Sequence, residues 1–152
     1  MRRSKQELTQ EECVQILKVQ PRGFLSVIIE KDYPYSIPMN YVYDRNKIIF
    51  HSAMEGQMFD SIKKHDKVSF TVINDGKQEE NEWWYVFKSV ILFGRIKVVE
   101  NEEERIRKLT LLGNKYFPSE EYTQNEIKKS LKRTLVLEID IEHMTGKIVT
   151  EK

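Results

Sequence analysis

Residues 83–100, WWYVFKSVILFGRIKVVE, limit the fold more than any other stretch of this chain. Valine, isoleucine and aromatic residues dominate it, the types that suit a pleated, half-buried surface. A strand this long makes a poor flat edge, because its unpaired backbone would invite pairing with other chains. Gly94 interrupts the run and marks a bend or a close backbone approach.

Five further segments read as strands: residues 23–30, 35–43, 48–52, 67–74 and 134–144. The first is almost continuously apolar, which predicts burial on both faces. The second contains Pro38, a missing ladder donor that marks an edge, a bulge or a backbone facing a ligand. The last alternates Leu135, Leu137, Ile139 and Ile141 with Glu138, Asp140 and Glu142, so its acidic side is expected to face solvent. The TGK at residues 145–147 reads as a closing turn. Thr9 with Glu12, and Asn101 with Glu104, are capping-box spacings that open helices through about Val19 and Tyr116. Residues 56–64 and 120–133 read as two more helices. Tight turns between consecutive strands imply antiparallel pairing, and six such strands close most economically into a small barrel. The expected architecture is mainly β with peripheral helices, in a single domain over residues 1–152.

Composition removes several classes of function. A net charge of +1 provides no field for nucleic acid. The basic tail MRRSK reads as a solvated segment. Cys13 is the only cysteine, and its helical position reads as a small buried hydrophobe. This usage suits the cytoplasm, and no apolar stretch has membrane-spanning length. His51, His65 and His143 share no ligand-like spacing, so no metal site is expected. A nucleophile elbow, a Walker loop and a G-x-G-x-x-G loop are all absent.

One junction carries chemistry. In NKIIFHSAMEGQMFDSIKK a strand ends at His51 and Ser52 and a helix begins after Gly56. A helix start offers unpaired amides and partial positive charge, which suits a phosphate. The simpler reading of the same residues is a plain strand-to-helix connection with a half-buried histidine.

In that setting YSIPMNYVYDRNKIIFHSAMEG followed by FDSIKKHDKVSFTV resembles the flavin-binding split-barrel proteins related to pyridoxamine 5′-phosphate oxidase. It looks most like the 5-nitroimidazole-resistance branch, which pairs a VP-x-N-aromatic strand with an HSA-x-EG turn. SVILFG and the closing I-x-H-M-TGK are similar to the same branch, so the resemblance spans nearly the whole chain in order. It implies a six-stranded antiparallel FMN-binding split barrel, a homodimer, and an oxidoreductase acting on nitro-aromatic or similar planar acceptors. It also admits a non-enzymatic flavin- or heme-binding module. By resemblance, Pro38, Met39, Asn40 and Tyr41 would lie along the flavin ring, with His51 and Ser52 beside the ring and ribityl chain. Glu55, Gly56, Gln57 and Met58 would approach the phosphate. Ser89 would come from the same interface, Trp83 and Trp84 would wall the site, and His51 would act near the reacting ring. The family commonly carries basic residues where this chain has Gln57 and Met58. Either backbone amides hold the phosphate, or Lys88 or Arg22 substitutes, or another ligand such as heme is preferred.

Overall fold

The computed structural model describes residues 6–78 and 80–150; the basic tail at residues 1–5 lies outside them. Thr9 caps α1 (Gln10–Val19) in the expected reciprocal capping box. The strands are β1 (Arg22–Ile28), β2 (Pro34–Asn40), β3 (Val42–Asp44), β4 (Lys47–Ala53), β5 (Lys67–Ile73), β6 (Lys77–Gln78), β7 (Tyr85–Val98) and β8 (Thr134–Val149). The helices α2 (Gln57–Lys64), α3 (Glu102–Tyr116) and α4 (Glu120–Ser130) complete the chain. Every strand pair is antiparallel, in the order β2-β1-β5-β7-β8-β4-β3, with β6 paired to the start of β7.

The described residues thus form eight strands where the sequence predicts six. Tyr41 divides the expected second strand into β2 and β3, and the acidic loop contributes the two residues of β6. The segment at residues 145–147 is not a turn: it continues β8, and Thr145, Gly146 and Lys147 pair with Ile91, Val90 and Ser89. A long β7 needs an equally long neighbour, and β8 supplies it. Nor is β1 buried on both faces; its residues alternate between exposed and buried. The ladder slips between Phe93 and Gly94. A Cβ on Gly94 would strike the Asp140 carbonyl across the sheet, so close approach requires glycine there.

The two edge strands, β2 and β3, adjoin in sequence at Tyr41, so the sheet curls until its edges meet at that one corner. This is a split barrel. Tyr41 has no strand partner, and α3 replaces one. The Tyr116 hydroxyl accepts from Tyr41 N–H at 2.9 Å and lies 2.8 Å from Tyr41 O and 2.5 Å from Pro21 O. Lys115 Nζ donates to Tyr41 O at 2.9 Å and to Gln20 O at 2.7 Å. Buried backbone groups need such partners. Burial pushes the Lys115 amine down to about 8.

Leu25, Phe50, Phe70, Val90, Leu92 and Leu137 fill the barrel. Cys13 is buried with them, and its thiol is pushed above its usual range by burial. A second cluster, with Ile49, Leu109, Ile127 and Val136, lies where α3 and α4 cover the other face of β4 and β8. The acidic side of β8 is not simply solvated. Glu138 is 3% exposed and pairs with Lys108, with Lys47 at 3.1 Å and with Lys97 at 3.2 Å. Sequence alternation places Glu138 opposite the barrel interior correctly; the helices on that side are what bury it.

Candidate functional site

The site begins with the parity of β4. Ile48 and Phe50 belong to the barrel core, whereas Ile49 faces α3 and α4. Side chains alternate along a strand, so His51 follows Ile49 and Ser52 follows Phe50. His51 and Ser52 therefore point to opposite sides of β4. His51 lines a cavity of about 280 Å³ together with Asn40, Leu109, Leu112 and Ile127. It is exposed over part of its surface, but the cavity wall withholds water from the rest, and that burial lowers its imidazole pKa. The ring is neutral at neutral pH, with one nitrogen donating and the other accepting.

The same alternation splits the proline-bearing strand. Met39 and Tyr41 pack into the barrel core, and Tyr41 meets Phe70 edge-on at 5.0 Å. Burial raises the Tyr41 phenol, whose oxygen is enclosed without a hydrogen-bond partner among the described residues. Pro38 and Asn40 are exposed. Pro38 stands opposite Phe24 on β1, and Arg22 opposite Asn40.

Past β4 the chain reaches Gly56, the N-cap of α2, at φ +131°. A Cβ there would touch nothing, so the backbone conformation, not crowding, calls for glycine. No side chain caps the helix. Its first internal bond runs from Asp60 N–H to Gly56 O at 3.1 Å, leaving the amides of Gln57, Met58 and Phe59 without helical acceptors. Gln57 and Glu55 are exposed, whereas Met58 is half-buried and packs against the barrel core. A phosphate fits this end: three free amides and the positive end of the helix dipole address an anion.

Ser89 lies on the outer side of β7, opposite Ile73 and Lys147, and does not line the His51 cavity. Trp83 is 73% exposed and meets Trp84 edge-on at 5.8 Å. Lys88 is engaged with Glu12 at 3.3 Å. On the outer face of the sheet, Phe24, Ile73, Ile91 and Phe93 are all at least 40% exposed. The four belong to the adjacent strands β1, β5 and β7. The cavity residues of α3 and α4 were not legible in the sequence, where they read as ordinary helix-face positions.

The family description "Pyridoxamine 5′-phosphate oxidase" matches residues 9–148. Among curated proteins, none matches this chain. Solved structures share its fold. A proposed 5-nitroimidazole antibiotic resistance protein from Bacteroides thetaiotaomicron superposes with a TM-score of 0.80 at 19% identity, over 93% of this chain and 86% of that one. An FAD-binding protein from Mesorhizobium loti gives 0.70 at 20% identity, over 95% and 97%. The FAD- and heme-binding protein from Mycobacterium smegmatis gives 0.77 at 17% identity, over 98% and 75%.

Proposed function

The chain belongs to the pyridoxamine 5′-phosphate oxidase family, and from that premise we propose that it is an FMN-binding oxidoreductase of the 5-nitroimidazole-resistance type, a cytoplasmic homodimer acting on nitro-aromatic or similar planar acceptors. The observation that carries this reading is the uncapped start of α2, with its three free amides, placed directly after the strand that presents His51. The amides would hold the flavin phosphate, and Pro38 and Asn40 would flank the ring. Bound FMN supplies the electron-transfer chemistry. The protein binds and orients it, and the neutral His51 offers a hydrogen bond at the border of the ring. A dimer through the apolar outer face would also give Ser89 its place, since within one protomer it is remote from the His51 cavity. The FAD-binding names of two solved structures with this fold support a flavin as the cofactor.

A visible absorption spectrum of freshly purified protein, repeated after adding FMN and gel filtration, tests the reading. Retained flavin bands support it. A sample that retains neither its own nor added FMN sinks it. Full flavin-dependent turnover in a His51→Ala variant would remove the role given to that residue. One observation favours a second reading, a non-enzymatic flavin- or heme-binding module: the α2 start carries no basic side chain, and Met58 is committed to core packing. A Soret band after heme addition, with no NAD(P)H-dependent turnover of flavin-loaded protein, would select it.

A further inference from the structure

Lys115 stands in a different environment from the lysines around β8. Lys47, Lys97 and Lys108 all pair with the buried carboxylate of Glu138. Lys115, near the end of α3, has no carboxylate partner among the described residues. Its Nζ donates to two carbonyls, Gln20 O at 2.7 Å and Tyr41 O at 2.9 Å, and lies 4.1 Å from the centre of the Tyr41 ring. Two carbonyls and an aromatic face replace only part of the water an ammonium loses on burial, so the charged form is disfavoured. Burial is the cause of the lowered amine pKa, and no charged neighbour contributes. Part of the side chain is nevertheless exposed. A neutral amine has two N–H donors and one lone pair. The carbonyls take the donors and leave the lone pair for an electrophile.

The hydrogen bonds of this corner allow one donor to be lost. Tyr41 O also lies 2.8 Å from the Tyr116 hydroxyl, whose other carbonyl neighbour, Pro21 O, belongs to an exposed residue that water can serve. An amide at Nζ keeps one N–H for Gln20 O, the Tyr116 hydroxyl serves Tyr41 O, and both carbonyls retain a donor. The amide is uncharged, so the unfavourable burial of the ammonium ends with it. Arg22, at the start of β1, is exposed and has no ion pair among the described residues. Burial raises the nearby Tyr116 phenol, and the charge of Arg22 pulls it partly back. A cation at this corner favours acyl donors whose leaving group is an anion.

We propose that Lys115 is an acylation site that takes small acyl groups directly from acyl phosphates. The neutral Nζ attacks the acyl carbon and a C–N bond forms. The C–O bond to phosphate breaks, phosphate leaves with the electron pair, and Nζ releases one proton to water. This assignment does not depend on the flavin reading.

The test treats the full chain with acetyl phosphate, folded and in concentrated urea, and counts acetylation at each lysine by mass spectrometry. At about pH 7.5 an amine with a pKa of about 8 is roughly a quarter neutral, against about 0.1% for an ordinary lysine. Lower basicity weakens the nucleophile and partial burial slows access. The expected lead of Lys115 over the exposed Lys18 and Lys128 is therefore about five- to twentyfold. Its rate should level off above about pH 8.5 while theirs keep rising, and in urea the lead should vanish. Arg22→Gln should slow Lys115 about twofold with acetyl phosphate, the scale of one exposed charge, and leave its rate with uncharged p-nitrophenyl acetate unchanged. A Lys115 no faster than Lys18 and Lys128 in the folded chain overturns the proposal, as does an equal lead in urea. An Arg22→Gln effect that is absent, or shared by both reagents, overturns the choice of acyl phosphates.

Discussion

Replacing Gln57 with arginine should tighten FMN binding and leave riboflavin binding unchanged. Gln57 is exposed at the first position of α2, next to the free amides of Met58 and Phe59. An arginine there can add one charge-assisted hydrogen bond to a phosphate, worth about 1.5–3 kcal/mol. Asp60 stands in the same helical turn and would compete as an exposed ion-pair partner, worth about 0.3–0.5 kcal/mol. The remainder corresponds to a roughly 5- to 100-fold lower Kd for FMN. Quenching of flavin fluorescence on titration reads both ligands. Riboflavin lacks the phosphate, so its Kd should not move, and the FMN gain should shrink as salt is raised. Met58 is the wrong place for the same experiment, because its side chain packs on the barrel core and a lysine there would disturb folding. An FMN gain below about threefold, or an equal gain for riboflavin, would show that the phosphate is not held at α2, since a bond of this class is worth more than that.

Glu138→Gln should destabilise the fold by about 1.5–3 kcal/mol, because the buried Lys108 loses its shorter ion pair and keeps only Glu104, at 3.3 Å; that is roughly 5 °C in Tm by calorimetry, and a shift under about 2 °C would refute it. Burial would raise the Glu138 carboxyl, but the bonds from Lys108, Lys47 and Lys97 outweigh it and hold the pKa below its usual value; the stabilisation is therefore present above the unfolded carboxylate pKa and lost as pH falls through the folded one, visible as acid unfolding that begins later in the wild type than in Glu138→Gln. Tyr116→Phe should cost about 1–3 kcal/mol in urea unfolding, the penalty for a buried Tyr41 N–H left without its acceptor, and an unchanged midpoint would show that the corner has another seal. His51 has a lowered pKa through burial, so its neutral form stabilises the fold above its unfolded pKa and that contribution is lost as pH falls through the folded value; a Tm–pH profile of wild type against His51→Gln should diverge on the acid side of about 6.5, and parallel profiles would contradict it.

Much of the architecture is written in local patterns. The capping box at Thr9 and Glu12 forms as spaced, and alternation in β5 and β8 gives the correct inward faces. Gly94 lies at a ladder irregularity with the neighbouring backbone pressed against it. What failed was information held by partners distant in sequence. Thr145–Lys147 looks like a turn in isolation, and becomes strand because β7 has residues left to pair. Glu138 looks solvated until α3 brings Lys108 over it. The motif around His51 was visible, but not that His51 and Ser52 would be divided between two sides of β4.

That division changes what the motif means. A histidine and a serine adjacent in sequence suggest one polar cluster, yet strand geometry separates them by a full face. His51 then belongs with the residues that share its face, which come from α3 and α4, elements more than fifty positions later in the chain. The barrel's split is what brings them together. Because β2 and β3 meet only at Tyr41, the corner depends on Lys115 and Tyr116 for its hydrogen bonds, and this fixes the end of α3 against the strand bearing Asn40. The same helix end therefore closes the barrel and walls the cavity. A loss of the Tyr116 hydroxyl should consequently disturb the surroundings of the His51 imidazole as well as the fold, seen as a shift of its ring resonances by NMR, whereas Gln57→Arg, at the separate α2 end, should leave them unchanged.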